Sequence, residues 1–490
     1  MRRLLPLLAA MPLAACTVGP NYRPASTADL KVPEAFATPA AQGAQAVQLA
    51  DWWKAFGDAA LSGLVERALY ANNDVDAAVA RLRQARASLR GAEGARLPSA
   101  GVSGSVARSL GATGRTIVDP TTGQTISTGG DTTIYRGGFD ASWEADIFGG
   151  LRRGVEAAEA DLGAARANLA DVQTSIAAEV GTNYVSARLA QARLEIARRN
   201  LVTQDETVQI VGWRVQAGLV SSLDLEQARQ LRAQTAATIP TLETNYRNAA
   251  NRLAILIGEA PGAVDAVLQP RAPVPLAPGA TDIPAQVIAR RPDVAAAERS
   301  LAAETARIGV QTAELYPALR LQGSFSGQST SIGNVLDAGI GNLVGAITAP
   351  IFQGGRIRAA IEGQRAATRA ALASYRQTVL LALEEVENAL VARRAADLRE
   401  REIDVAAEAA RNAVIYARSQ YRAGLIDFQT LLDSERSLLS SQDNQASARA
   451  DRATATVQLY KALGGGWQAA PVPMGARPGG EAITISETGR

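Results

Sequence analysis

The sequence predicts a mixed, mainly α-helical fold made of two tandem structural repeats, with four β-strands per chain contributing to a membrane β-barrel. Three observations lead there. Long proline-free stretches rich in Ala and charged residues carry apolar positions at spacings of three and four. Landmarks of the first half return in the same order in the second. The chain opens on an export signal yet holds no uninterrupted apolar run of the ~20 residues a spanning helix needs, so any bilayer crossing must be made of strands.

Composition sets outer limits. The 490 residues are 47% hydrophobic but only 4% aromatic, a balance suited to long, closely packed helices rather than a bulky globular core. Lys and Arg number 50 against 48 Asp and Glu, so no positive field is available to hold a nucleic acid. His is absent and Cys occurs once, which removes His- or Cys-pair zinc sites, Ser-His-Asp and Cys-His nucleophiles and any intrachain disulfide. Nor does the chain carry a phosphate-binding Gly loop or a nucleophile elbow. The expectation is a non-enzymatic protein with no metal and no cofactor.

Residues 1–15 read as a signal peptide, with Met1-Arg2-Arg3 as its basic start and Leu4 to Leu13 as its apolar stretch. Leu13-Ala14-Ala15-Cys16 resembles a bacterial lipobox, which implies that Cys16 becomes the mature N-terminus and carries acyl chains. Thr17, in place of an Asp, fits sorting to the outer membrane. Residues 17–50, rich in Pro, Ala, Thr and Gln, read as an extended tether, and Trp52 and Trp53 as core anchors.

The first repeat covers 58–258. Leu61, Leu64, Val65, Leu69, Val75, Val79 and Leu82 predict one helix from Asp58 to Arg96, stopped by Pro98. A β-hairpin over 98–147 follows from the alternation at Val102–Val106 and Gly138–Trp143, with a long polar loop between. From about Arg152 to Gln216 a heptad seam of Leu194, Ala197, Leu201, Gln204, Val208, Val211 and Val215 marks a helix of roughly 65 residues, ~100 Å long. It breaks at the turn 217–221, and a second helix runs from Ser222 to Ile257, where Pro240 predicts a kink or short interruption.

Residues 259–283, with prolines at 261, 270, 273, 275 and 278, read as a linker between halves. The second repeat, 284–464, repeats the plan: a helix Ala285–Glu314, a hairpin 317–352 with strands at Leu319–Phe325 and Leu343–Phe352, a long helix Arg356–Arg422 seamed by Val379, Leu383, Val386 and Leu390, a turn at 423–426 and a last helix. Residues 465–490 form a tail. Arg96-Leu97-Pro98 answers to Leu315-Tyr316-Pro317, Asp146-Ile147-Phe148 to Pro350-Ile351-Phe352, Gln216–Val220 to Arg422–Ile426, and Ile257-Gly258 to Leu463-Gly464. A membrane barrel must close, and four strands fall short of the minimum of about eight, so the barrel is shared between chains. Two chains give eight strands filled by side chains; three give twelve, with room for an aqueous lumen.

Cys16-Thr17-Val18-Gly19-Pro20-Asn21-Tyr22, Asp51-Trp52-Trp53 with Phe56, the Arg-Ala-Gly-Leu turn at 422–425, Leu431-Leu432-Asp433-Ser434-Glu435-Arg436 and Leu463-Gly464-Gly465-Gly466-Trp467 resemble the outer membrane factor family. The likeness is nearest to its lipoprotein NodT/OprM-like branch, is more distant to TolC, and covers residues 16 to about 467. It implies a homotrimer with a twelve-stranded β-barrel in outer membrane lipid, a long α-helical periplasmic tunnel and a small equatorial domain that includes part of 16–57. It implies the exit duct of a tripartite efflux pump for small molecules, partnered by a periplasmic adaptor (membrane fusion) protein and an inner-membrane transporter of the resistance-nodulation-division class. Carried over by position, Asp224 and Tyr421 are a hydrogen-bonded pair at the periplasmic gate, Asp433 matches an acidic ring and Arg436 its basic partner. Ile426 stands where a TolC-type entrance carries an Arg, leaving Asp433 and Arg436 to supply that contact. The turns Ala217, Gly218, Leu219, Val220 and Ala423, Gly424, Leu425, Ile426 are implied as adaptor contacts.

Asp224, three residues after Ser221, also fits a capping box, Asp433 and Arg436 also fit an i, i+3 pair on their own helix, and Gly424 is the left-handed cap a tight reversal needs. Phe139, Trp143, Phe148, Phe325 and Phe352 fit either a lipid-facing girdle or rim packing. Among rival functions, a type I protein-secretion duct shares the architecture; a helical scaffold would not need recurring hairpins.

Overall fold

A computed structural model describes residues 17–26, 28–38, 48–110, 115–118, 125–128, 131–279, 284–337 and 339–467. The signal peptide 1–15, Cys16 and the tail from 468 lie outside them. In chain order the elements are α1 (Ala59–Ala71), α2 (Asn73–Gly94), β1 (Ser99–Ser109), β2 (Arg115–Val118), β3 (Thr125–Thr128), β4 (Thr132–Ala145), α3 (Gly150–Gln216), α4 (Ser222–Leu256), α5 (Asp265–Leu268), α6 (Pro284–Arg290), α7 (Pro292–Ala313), β5 (Ala318–Ser329), β6 (Ile340–Thr348), α8 (Arg356–Arg422) and α9 (Phe428–Ala462). Among the described residues no helix is long and apolar enough to cross a membrane.

The chain divides into two compact units, each drawing on both repeats. One comprises Met1–Ala25, Arg81–Ala165 and Ala296–Arg376 and holds the strands. β1, β4, β5 and β6 form an antiparallel sheet in the order β1-β4-β5-β6, and β2 and β3 pair separately. The polar loop expected inside the first hairpin therefore carries a small hairpin of its own, which the local sequence did not announce through alternation. The expected strand Leu343–Phe352 is shifted to Ile340–Thr348, because Pro350 has no N–H to continue the ladder. Residues 17–22 do not hang free as a tether: Val18 N–H donates to the Phe148 carbonyl (3.1 Å).

The other unit comprises Ser26–Ala80, Arg166–Ala295 and Gln377–Arg490. Trp52 and Trp53 are its core anchors as expected, Trp52 lying edge-on to Phe56 at 5.9 Å and tilted against Tyr460 at 5.7 Å. The single helix expected over 58–96 is two, because Asn72 ends one and begins the next. Its N–H closes α1 on Ala68 O, its side-chain oxygen accepts from Asp74 N–H (2.8 Å), and its amide donates to Leu256 O (2.9 Å). The helix expected over Ala285–Glu314 is likewise split, at Arg291-Pro292, where proline disfavours a helical predecessor. Pro240, by contrast, interrupts nothing: Leu242 and its neighbours Ile239 and Tyr246 pack on Leu194 and Ala197, and this burial outweighs one missing hydrogen bond. Of the expected linker 259–283, the described part 259–279 is not free: Val264, Leu268, Val274 and Ala277 are buried, and Arg188 donates to the Leu268 and Pro270 carbonyls at 3.2 and 2.7 Å.

Candidate functional site

Two regions bear the chemistry, the sheet and the two helix reversals. In the sheet, register decides what each face presents, because successive side chains point to opposite sides. Val102, Phe139 and Phe325 lie in one cross-strand row with Gly341, and Ala100, Ala141 and Gly323 in another with Leu343. Trp143, Leu321, Leu319 and Ile347 continue that face. The opposite face carries Ser99, Ser103 and Ser105 from β1, Arg136, Asp140, Ser142 and Glu144 from β4, Arg320, Gln322, Ser324, Ser326 and Gln328 from β5, and Asn342 from β6. Across strands Arg320 pairs with Glu144 at 3.0 Å, and Arg136 donates to the Gln328 side-chain oxygen at 3.2 Å. Both faces are largely exposed in one chain. One face is mainly apolar, with Tyr135 and Arg108 toward its far end, and the other mainly polar, though it also carries Ile134, Ile340 and Val344; such a division suits a barrel wall between lipid and water.

Beyond the strand ends lie exposed Leu97, Tyr316, Ile351 and Phe352, with Phe148 stacked on Tyr316 at 4.6 Å between centroids. The Trp143 indole N–H donates to Arg96 O (3.0 Å). The register places Phe139, Trp143 and Phe325 on the apolar face, while Phe148 and Phe352 lie beyond the strand ends, in a collar with Tyr316, whose amphipathic phenol suits a membrane interface.

The helix reversals are built alike. At the first, Gly218 (φ +75°) ends α3 with Leu219 N–H on Arg214 O (2.8 Å); at the second, Gly424 (φ +74°) ends α8 with Leu425 N–H on Gln420 O (2.9 Å). Ala217, Val220, Ala423 and Ile426 flank the glycines; Leu219 and Leu425 are exposed, and Val220 and Ile426 reach inward. A buried cluster of Val211, Ala228, Leu231, Tyr421, Phe428 and Leu431 joins the two reversals.

Asp224 sits in the capping box: Ser221 Oγ accepts from Asp224 N–H (3.3 Å) while the Asp224 carboxylate accepts from Ser221 N–H (3.2 Å). Tyr421 is 5% exposed, its ring under the Arg214 guanidinium at 4.5 Å and beside Phe428 at 5.7 Å. Its hydroxyl is buried without a hydrogen-bond partner, so the Asp224–Tyr421 pair is not made within one chain. Asp433 accepts from Gln429 (3.1 Å) and lies 3.5 Å from Arg436, both exposed on α9.

Sequence reading passed over two residues here. Glu435, only 4% exposed, accepts from Arg418 Nε and Nη2 at 3.2 and 3.1 Å and from Thr207 Oγ1 at 3.4 Å. Burial pushes its carboxyl above the usual range despite the pull of Arg418. A signal existed, since Glu435 continues the three-and-four spacing between Leu431 and Leu438. Arg214 additionally donates to the Tyr421 and Arg422 carbonyls at 3.4 Å, satisfying orphan acceptors at the end of α8. No group of His, Cys, Asp and Glu suited to a metal occurs among the described residues.

A two-faced open sheet leading by chain into long helices that reverse at matched tips defines a subunit of an outer membrane channel. A model of the outer membrane efflux protein family matches residues 64–259 and 283–465. The pyoverdine export outer membrane protein OpmQ of Pseudomonas putida is 34% identical across 94% of this chain and 98% of its own, and nodulation protein T of Rhizobium leguminosarum bv. trifolii 33% across 93% and 95%. The solved outer-membrane channel OprN aligns at a TM-score of 0.81 and 35% identity, covering 92% of this chain and 100% of that one. The chain belongs to the outer membrane efflux protein family, and its function is that of the outer membrane channel of a tripartite efflux pump.

Proposed function

We propose that three copies close a twelve-stranded barrel, with the apolar sheet face toward lipid and the polar face lining an aqueous lumen, and that acylated Cys16 anchors each chain to the outer membrane. The supporting observation is the open sheet itself. Among the described residues its edges, β1 and β6, have no further partner strand, and four alternating strands let β6 of one copy take β1 of the next antiparallel, which removes edges that lipid could not satisfy. The helices extend into the periplasm as the tunnel. The turns Ala217–Val220 and Ala423–Ile426 receive a periplasmic adaptor, which couples the duct to an inner-membrane transporter of the resistance-nodulation-division class. Small molecules are the cargo.

In this reading Asp224, Tyr421, Asp433 and Arg436 form the periplasmic gate. A buried hydroxyl without a partner costs about 1–3 kcal/mol, so the Tyr421 hydroxyl favours an acceptor from a neighbouring copy once its ring turns out from beneath Arg214. Asp224 can cap its own helix at rest and supply that acceptor, since a carboxylate has two oxygens. Asp433 and Arg436, exposed and paired at one edge only, retain hydrogen-bonding capacity toward a neighbour.

Single-channel recording of the purified mature protein in planar bilayers, with its mass in detergent, tests the proposal. The expected result is a trimer with small gated currents that grow when Asp224→Ala and Tyr421→Phe are combined. A monomer, or a trimer that never inserts, contradicts the barrel; unchanged currents in the double variant contradict the gate assignment alone.

A further inference from the structure

The segment just after Cys16 is held by a site of its own. Arg153, in the first turn of α3, is 3% exposed yet charged, and each arm of its guanidinium is satisfied. Nε donates to Val18 O (3.1 Å), Nη2 to Gly19 O (3.2 Å) and to the Asn21 side-chain oxygen (2.6 Å), and Nη1 to the Glu156 carboxylate (2.6 Å). A fork with five donors in fixed geometry suits this reading of consecutive main-chain carbonyls. Arg152 adds a bond to Thr17 Oγ1 (3.1 Å), and Val18 N–H donates to Phe148 O (3.1 Å).

The chain lies too close for side chains. Gly19 holds φ +92°, and a Cβ there would collide with the backbone of Gly309 on α7; a Cβ on Gly309 would in turn meet Arg153 Cγ at 2.7 Å. Tyr22 ends the run by donating to Glu298 Oε1 (3.1 Å), its hydroxyl pushed up by burial and by that carboxylate, so that it stays a donor. Residues 17–22 thus rest on the start of α3 from the first repeat and on α7 from the second.

We infer that residues 17–22, clamped by Arg153, are a fixed seat that delivers the lipid-bearing end of the chain to the aromatic collar. The inference rests on acylation of Cys16. Phe148, whose carbonyl holds Val18, is the ring stacked on Tyr316 in that collar. Thr17, the residue that follows Cys16, lies against Gly149, next to Phe148, so the described chain begins at the depth where an aromatic girdle meets headgroups. Arg153 is here a positioning residue for the anchor, and the anchor depth is fixed by the fold rather than by a slack tether.

The test uses full-length trimers in lipid nanodiscs, read by amide hydrogen exchange over residues 17–22 and by mass analysis of the N-terminal peptide. In the wild type the Val18 amide is protected; in Arg153→Ala and, independently, Gly19→Ala it exchanges at least about tenfold faster, with protection elsewhere in the trimer kept. Arg153→Lys, which keeps the charge and loses the fork, behaves like Arg153→Ala. Wild-type exchange at the rate of an unstructured peptide overturns the seat, and so does protection that survives both substitutions. A protected but unacylated N-terminal peptide leaves the seat standing and overturns the lipid-anchor reading on which its purpose rests.

Discussion

Ser221 and Asp427 stand 206 positions apart, as do Gly218 and Gly424, and each pair does the same work at its own helix reversal. Glycine ends the incoming helix in the left-handed region, and a short polar side chain caps the outgoing one. What the two reversals place inside that shared frame differs. Val215 in the first answers to Tyr421 in the second, and exposed Arg229 answers to buried Glu435. The duplicated chain kept the backbone chemistry that makes a tight turn, where few residues are possible, and diverged at positions facing the cluster. The buried tyrosine and the buried carboxylate of the tip therefore both come from the second repeat.

The sharpest way to break this comparison is to truncate the inward residue of each tip. Tyr421→Ala should destabilise the tip by about 3–5 kcal/mol, as expected for emptying a buried aromatic site, while Val215→Ala, half-buried, should cost about 1 kcal/mol. Amide exchange across 208–215 and 417–432 measures both, and equal losses would show that the tips are equivalent after all. Gly218→Ala and Gly424→Ala should instead be indistinguishable, each costing about 1–2 kcal/mol because Cβ opposes a positive φ. Nothing crowds either position, so a larger loss at one would mean its turn carries something beyond the frame. Ser221→Ala should cost about 1 kcal/mol through the lost cap and leave channel currents unchanged if Asp224 acts only within its own helix.

The smallest effects are in pH. Glu435 has a folded pKa raised by burial, so the stability it lends is full below the ordinary glutamate value and is lost as pH rises through the raised one. Glu435→Gln should remove that dependence from the second tip. Asp427 is opposite in sign: the hydroxyl and N–H of Thr430 hold its pKa below the usual range, so its cap is intact above that range and fails as pH falls through the lowered value. Ser221, which answers to Asp427, does not titrate, so its own hydroxyl cap on Asp224 N–H should be unchanged when exchange rates are compared between acid and neutral pH.

Much of this was legible in the sequence where local chemistry decides. Both ends of α8 match the expected Arg356 and Arg422, since Gly354-Gly355 and Gly424 punctuate it. Of the expected seam, Leu194, Ala197, Gln204 and Val211 are buried, while Leu201, Val208 and Val215 are only half-buried. The sheet faces follow from alternation once register is known, but the register of Phe139 on Phe325 joins residues from different repeats and could not be read from either. Pro240 shows the same limit in reverse, a local breaker overruled by packing of Leu242. Arg153 and Glu435 were illegible as partners because spacing marks a position as inward without saying what charge or carbonyl waits there.

If the two faces of one sheet separate lipid from water, neighbouring cysteines on β5 must differ in their access to an aqueous reagent. Cys16 is the only cysteine of the chain, so Ser324→Cys and Phe325→Cys each add one thiol to the strand region, on opposite faces of β5. With trimers in lipid nanodiscs, a membrane-impermeant maleimide should label Ser324→Cys and spare Phe325→Cys. Labelling of both, or of Phe325→Cys alone, would contradict that separation.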